Sequence, residues 1–414
     1  MHRGPLSLAV SLTLGAVGCS GDATHEASPS IDAGANPSTN AGEIDADADA
    51  AAGPVPVVGS DYLAFEPQAV SAAGVLELSF TLPADARSMV FTATADQPGD
   101  LLLLDLWHTD GRALFHRDAS EGNLFTPALD QNLERWAPLS VAYPSAPSDP
   151  ALRAGRYRLR IGFLPETAGA PPAQLRFDVV WQARAQPTTL PVNVWMARGA
   201  SLNAAELVMD SAYLDAFVKL REIFEPAGLA LEPFQAFDLG ADGNDWSEIA
   251  SDDELVALLG ELEKTPAAGL DFVLLDRIVT PGKTVRGKST GIPGPPAHAM
   301  LTRRGAVVLA MDDLPNDPLR IAEAFAHEAT HYLGLRHTTE LDGSAHDPLA
   351  DTPECPLARA RYETTSGELL LSSEDCRDYD GPNLLFPMPP FDDAPQHALT
   401  ADQISVLRGS PLLR

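Results

Sequence analysis

Eleven residues in the C-terminal half, His327-Glu-Ala-Thr-His-Tyr-Leu-Gly-Leu-Arg-His337, restrict the fold more than any other part of the chain. Residues four apart stack on one face of a helix, so His327 and His331 can reach a single ion from a rigid platform. Glu328 stands one residue past His327, where its carboxylate can meet a water at the ion without becoming a ligand. A helix continued through Gly334 would carry residue 337 onto the next turn and away from the ion. Glycine tolerates the left-handed backbone that ends a helix, so the chain can bend there and return His337 as a third ligand. Three histidines leave a fourth position for water, the arrangement of catalytic rather than structural zinc. The competing reading is three satisfied histidines around a helix end, which leaves Glu328 without a use.

The motif's helix is expected to begin at Asn316-Asp317-Pro318, a cap followed by proline in the first turn, and to run to Leu333. Upstream the rhythm is strand, helix, strand, helix. Residues 192–197 read as a strand, 204–224 as one amphipathic helix stopped by Pro226 and Gly228, and 229–237 as a strand. A helix over 252–264 capped by Ser251, and strands over 271–279 and 306–311, complete an α/β (α+β) domain with a mixed sheet, residues 187–414. The run 291–297 reads as a rigid loop with too few apolar anchors to be core.

Ahead of this domain the pattern is different. Residues 75–82, 89–94, 101–107, 155–163 and 175–181 alternate or run apolar between Pro, Gly and Asp turns, the pattern of an all-β sandwich over 58–186. His108 and His116 lie there without a spaced partner and are assigned surface or structural roles. Residues 20–57, including Asp45-Ala-Asp-Ala-Asp-Ala50, hold almost no large apolar side chain and read as a disordered acidic tether. Residues 1–18 have the charged start and short apolar run of a signal peptide, ending in Ala16-Val17-Gly18-Cys19. That ending resembles a bacterial lipobox, which implies an acylated Cys19 and an exported protein anchored to a bacterial membrane, the outer membrane or cell surface. An ordinary cleaved signal is the alternative.

With 28 Lys and Arg against 58 Asp and Glu, the formal charge is -30, a field that repels nucleic acid and anionic headgroups. Any membrane contact is therefore expected through the lipid anchor alone. Of three cysteines, Cys19 belongs to the lipobox, and Cys355 and Cys376 remain as two thiols in an exported chain. They are expected to pair, closing a loop worth roughly 3 kcal/mol by chain entropy.

The 327–337 run resembles the zinc signature of the metzincin metallopeptidases. Asp347-Pro-Leu-Ala-Asp351-Thr-Pro353 before Cys355, Asn383-Leu-Leu-Phe386, and the 399–407 segment resemble the pappalysin-like branch. The resemblance covers about 190 to 414 and implies a sheet packed under the active-site helix, with a substrate cleft between two subdomains. It implies Zn2+ on His327, His331 and His337, Glu328 as general base, and a turn beneath the zinc. In that turn Leu385 stands where the family has methionine, with Met388 three residues on, and Pro387 replaces a tyrosine that helps stabilise the oxyanion in related branches. Leucine can fill the same apolar floor, since the turn residue does not ligate the metal.

Glu340 and Asp342, close to the third ligand, read either as contacts behind the ligands or as solvated carboxylates. Asp342, Asp347 and Asp351 could alternatively share Ca2+. The function that follows is a zinc-dependent endopeptidase acting on peptide or protein substrates. A catalytically inactive zinc-containing surface binding protein and a metal-dependent hydrolase of non-peptide amides or esters are the alternatives. Substrate preference and oligomeric state have no signature in the sequence.

Overall fold

The structure is a computed structural model that describes residues 57–58, 61–117, 138–167, 169–183, 188–240, 243–264, 268–280, 283–296, 305–362, 369–390 and 394–414. Cys19, the signal segment, nearly all of the tether and the joint at Pro187 lie outside the described residues. Among the described residues no helix is long and apolar enough to cross a membrane.

Nine strands form the first part: β1 (Val57–Val58), β2 (Tyr62–Ala69), β3 (Val75–Leu82), β4 (Ser88–Ala95), β5 (Gly99–His108), β6 (Ala113–His116), β7 (Leu139–Tyr143), β8 (Gly155–Pro165) and β9 (Gln174–Gln182). They make two antiparallel sheets, ordered β1-β2-β9-β4-β7 and β3-β8-β5-β6. Alternation in β3 and β8 buries Leu76, Leu78, Phe80, Tyr157, Leu159 and Ile161 in a shared core with Phe91 and Phe177 of the facing sheet, which is sandwich packing. Strands β1, β2, β6 and β7 add to those read from the sequence, and β1 takes in Val57, which the sequence alone assigns to the end of the tether.

The second part contains β10 (Thr189–Ala197), α1 (Ala204–Leu207), α2 (Ser211–Phe224), β11 (Ala230–Leu239), β12 (Glu248–Ile249), α3 (Asp252–Leu262), β13 (Leu270–Leu275), β14 (Arg277–Thr280), β15 (Lys283–Val285), β16 (Gly287–Ser289), β17 (Val307–Ala310), α4 (Pro318–Tyr332) and, near the end, α5 (Ala401–Arg408). Its main sheet runs β11-β10-β13-β17-β16, parallel except for β16, which pairs antiparallel at the edge. Strands buried on both faces run nearly continuously apolar; β17 does so throughout, and β10 beyond Thr189 and β13 do apart from buried Asn193 and Asp271, which bond each other. Val192, Val194, Phe272, Leu274, Val307 and Leu309 meet α2 and α4 on one face. Trp195, Val273, Leu275 and Val308 meet α3 on the other.

Three sequence expectations are corrected here. The single helix over 204–224 is two, because Asp210 accepts from the backbone N–H groups of Ala212 and Tyr213 and caps a fresh start. The strand over 271–279 divides at Asp276: β13 belongs to the main sheet, whereas β14 joins β12 and β15 in a small separate sheet. The loop at 291–296, too poor in apolar anchors to read as core, is largely buried. Gly294 lies against the Tyr332 ring so closely that a Cβ there would come within 2.0 Å of a ring carbon, and its N–H donates to the Tyr332 carbonyl over 2.9 Å.

The two parts touch through the chain's end. Gln182 Nε2 donates to the Leu413 carbonyl over 2.8 Å, and Arg414 reaches Asp61 over 3.1 Å.

Candidate metal centre

Helix α4 is capped by Asp317, whose carboxylate accepts from the Arg320 N–H over 3.0 Å, and Pro318 occupies its first turn. Its termination positions the third histidine. The Gly334 N–H donates to the His331 carbonyl and the Leu335 N–H to the Thr330 carbonyl, at 2.9 and 3.0 Å, the paired bonds of a Schellman ending. Gly334 has φ of +113°, a backbone conformation that L side chains rarely adopt. The bend turns the chain so that His337 faces His327 and His331, with ring centroids 5.4 and 4.7 Å away.

The orientation of each imidazole is fixed by what its Nδ1 meets. His327 Nδ1 lies 2.7 Å from the Leu384 carbonyl, and His331 Nδ1 lies 2.7 Å from the Leu335 carbonyl. A carbonyl only accepts, so both rings carry their proton on Nδ1 and present a lone pair on Nε2. Those two Nε2 atoms are 3.1 Å apart. Neither has a proton to donate to the other, and two facing lone pairs at that distance call for a cation between them. His337 Nδ1 meets the Glu340 carboxylate at 3.2 Å, and its buried Nε2 has no hydrogen-bond partner among the described residues. One ligand atom from each histidine lies within 4.8 Å of the others. Tetrahedral zinc with bonds of about 2.05 Å would set such nitrogens about 3.3 Å apart, so the residues present fit the ion.

The electrostatics suit neutral ligands. Burial, reinforced by His337, pushes His327 down to about 3. Burial likewise puts His331 well below its ordinary range. Burial of Glu340 acts to raise its carboxyl, yet the hydrogen bond and charge of His337 outweigh it and hold Glu340 below the usual value.

Glu328 is 4% exposed and lies against the edge strand. A Cβ on Gly287 of β16 would come within 2.7 Å of Glu328 Cγ, so only glycine permits this approach of strand to helix. A cavity of about 70 Å³ opens beside His327 and Glu328, lined also by residues of α4 and β16 and by Leu384, Phe386, Pro387, Pro389 and Gln396.

The turn after residue 382 passes beneath the histidines. Leu384 and Leu385 are buried in the main core; the Leu384 carbonyl holds His327, and the Leu385 carbonyl accepts from the Thr338 N–H over 3.2 Å. Met388 packs instead with Phe386, Leu371 and the Cys355–Cys376 disulfide. That bridge spans 21 residues and carries the loop after the third ligand onto the turn.

The acidic residues downstream separate. Glu340 supports His337, while Asp342 accepts from the Ser344 N–H, Asp347 from the Leu349 N–H and Asp351 from the Asp402 N–H at the start of α5. Among the described residues two sets of His, Cys, Asp or Glu atoms converge: the three histidines, and Cys355, Cys376 and Asp380, whose sulfurs are already bonded to each other. Asp342, Asp347 and Asp351 form no such set. In the sandwich, His108 bonds the Ala154 carbonyl and His116 pairs with buried Asp105, both structural roles.

Sequence reasoning missed the Leu335 and Leu384 carbonyls, Gly287 and the whole edge strand. Backbone acceptors carry no side-chain signal, and three residues show no period; only Gly287 itself was visible.

No family model matches the chain, and no curated protein does. Among solved structures, metalloproteinase-II from Bacteroides fragilis aligns at 14% identity and a TM-score of 0.30 over 56% of this chain and 62% of that one. The chain thus spans about three fifths of that protein's length. A mutant of Xylanase10C from Cellvibrio japonicus in complex with xylopentaose aligns at 11% identity and a TM-score of 0.18, over 54% and 39%. At these scores neither likeness carries an argument about this chain, and the reading rests on the site.

Proposed function

We propose that the chain is a zinc-dependent endopeptidase of the metzincin type, with residues 187–414 as its catalytic domain. The observation that carries the reading is the convergence of three Nε2 lone pairs beside a buried glutamate that is not itself a ligand. His327, His331 and His337 would hold the ion. When bound, zinc supplies Lewis acidity, polarising a carbonyl and acidifying water. Glu328 takes the proton of the attacking water at its carboxylate and returns it to the leaving amine nitrogen. Low solvent access around Glu328 and His327 strengthens each charge interaction during that transfer. Leu384 and Leu335 keep the rings in the tautomer that points Nε2 inward, and Glu340 does the same for His337.

The test is a peptide-library digest by the zinc-loaded protein and by Glu328→Ala. Zinc content should be equal in both, and hydrolysis lower by about two to four orders of magnitude in the variant. Equal cleavage by the two would contradict the role of Glu328. Cleavage by neither would favour a surface binding protein, and ester or non-peptide amide turnover alone would favour the other hydrolase.

Export and anchoring through Cys19 belong to the same reading, supported by the Ala16-Val17-Gly18-Cys19 run. Cys19→Ser should move the protein out of the membrane fraction; unchanged fractionation would refute acylation there.

A further inference from the structure

Arg320, Glu323 and His327 stand at helix positions i, i+3 and i+7, so one face of α4 carries them in a row. The first two grip the segment that follows the turn beneath the histidines. Arg320 donates to one Glu323 oxygen over 2.7 Å and to the Ala394 carbonyl over 2.9 Å. The other Glu323 oxygen accepts from the Gln396 N–H over 2.7 Å and faces His397 at 3.3 Å. Gln396 passes the contact on. Its side-chain amide donates to the Phe386 and Met388 carbonyls over 3.2 and 2.9 Å and reaches the Gly381 carbonyl at 3.4 Å. Those carbonyls bracket Leu384, whose own carbonyl receives His327 Nδ1. The path therefore leaves α4 at Glu323, crosses Gln396 to both ends of the turn, and returns to α4 one helical turn later at the ligand.

The anchoring groups are shut away from water. Side chains of Arg320 and Glu323 are 15% and 8% exposed, and Gln396 is 6% exposed. A buried ion pair adds little net stability, because desolvation offsets most of its attraction, and its best attested use is to fix one register among several. Here the register is that of the 381–388 turn against the helix that carries the ligands. Apolar residues at 320 and 323 could pack as well, but they would let the turn slide and carry the Leu384 carbonyl away from His327. We propose that Glu323 is a positioning residue for the metal: acting through Gln396, it holds the Leu384 carbonyl where that group keeps the His327 proton on Nδ1 and its Nε2 aimed at the ion. The inference rests on the metal-site reading and adds a residue to it. Its working part is an oxygen that accepts from the Gln396 N–H, not the negative charge, which Arg320 pairs and which Arg286 faces from the same cavity lining.

The experiment measures zinc affinity by chelator competition on the metal-free full chain, with the fold of each variant checked by circular dichroism. Glu323→Ala and Gln396→Leu should each weaken zinc binding about tenfold, the low end for groups that support a ligand, because both act at one remove. The double variant should also lose about tenfold rather than about a hundredfold, since the two changes break the same path. Glu323→Gln should recover most of the loss, because its oxygen still accepts from the Gln396 N–H. Wild-type affinity in folded Glu323→Ala or Gln396→Leu, or a hundredfold loss in the double variant, would overturn the proposal. Equal losses in Glu323→Gln and Glu323→Ala would overturn it in favour of a charge effect on the ion. If Glu323→Ala does not keep its fold, Gln396→Leu decides by the same criterion. A wild-type chain that binds no zinc would overturn the metal site itself, an outcome separate from every comparison among the variants.

Discussion

Replacing Gly287 by alanine tests whether the edge strand sets the position of the general base. The added Cβ would stand 2.7 Å from Glu328 Cγ and 2.7 Å from Leu309 Cδ2. Leu309 meets it with a terminal methyl that can turn away. Glu328 meets it near the root of its side chain, so the carboxylate must recede by about 0.7 Å to restore an ordinary contact of 3.4 Å. Displacements on the order of 1 Å can cost about a hundredfold in rate, so kcat/KM should fall about 10- to 100-fold. Overpacking of this kind costs about 1–3 kcal/mol of stability, visible as a lower Tm. Zinc content should stay at the wild-type level, since none of the three histidines is touched. The assay is turnover of a cleaved peptide by wild type and Gly287→Ala, with metal analysis and thermal unfolding of both. Wild-type turnover together with wild-type Tm would refute the close approach, and loss of zinc would show that the strand supports the ligands instead.

Glu340→Gln weakens the acceptor that orients His337, and removal of such a support typically costs 10- to 100-fold in metal affinity. With a 3.2 Å contact and a carboxylate that is 38% exposed, the lower end, about tenfold by chelator competition, is expected; unchanged affinity would deny Glu340 a supporting role. Stability of the metal-free chain should depend on pH in two opposed ways. Burial raises Asp178 and Asp347 from 3.8 to about 7, so between those values the folded chain holds protons that the unfolded chain has released, and this stabilisation is lost as pH rises towards 7. Burial lowers His327 from 6.5 to about 3, so the unfolded chain binds the extra proton and stability is lost as pH falls below 6.5. Asp178→Asn and Asp347→Asn should therefore gain relative to wild type between pH 5 and pH 7.5 in urea unfolding. An equal gap at both pH values would contradict the assignment.

The legible part of this molecule was the part written in side-chain chemistry at fixed spacing. His327, Glu328, His331, Gly334 and His337 specify a helix, its termination and a convergent ligand set, and the structure brings these residues together. The disulfide was legible from cysteine count and the expected compartment, and the long alternating strands β3 and β8 from their period. Features decided by local competition were not. Asp210 reads as one more polar residue on a helix until its carboxylate is seen to accept from the following turn. Asp276 divides two strands that share one apolar run, because β13 pairs with β10 and β17 while β14 pairs with β12 and β15, a choice of partners that the pattern does not carry. The 291–296 loop looked too poor in apolar anchors for the interior, yet glycine and proline there let it lie flat on Tyr332.

The central claim is that three inward-facing Nε2 atoms form one metal site, and metal analysis with zinc-edge X-ray absorption on the dialysed full chain tests it most directly. One zinc per chain is expected, with three nitrogen neighbours at about 2.0–2.1 Å, and none in His331→Ala that retains its fold by circular dichroism. A wild-type chain that takes up no zinc with all three histidines intact, or a His331→Ala chain that holds it as tightly as wild type, would contradict the claim.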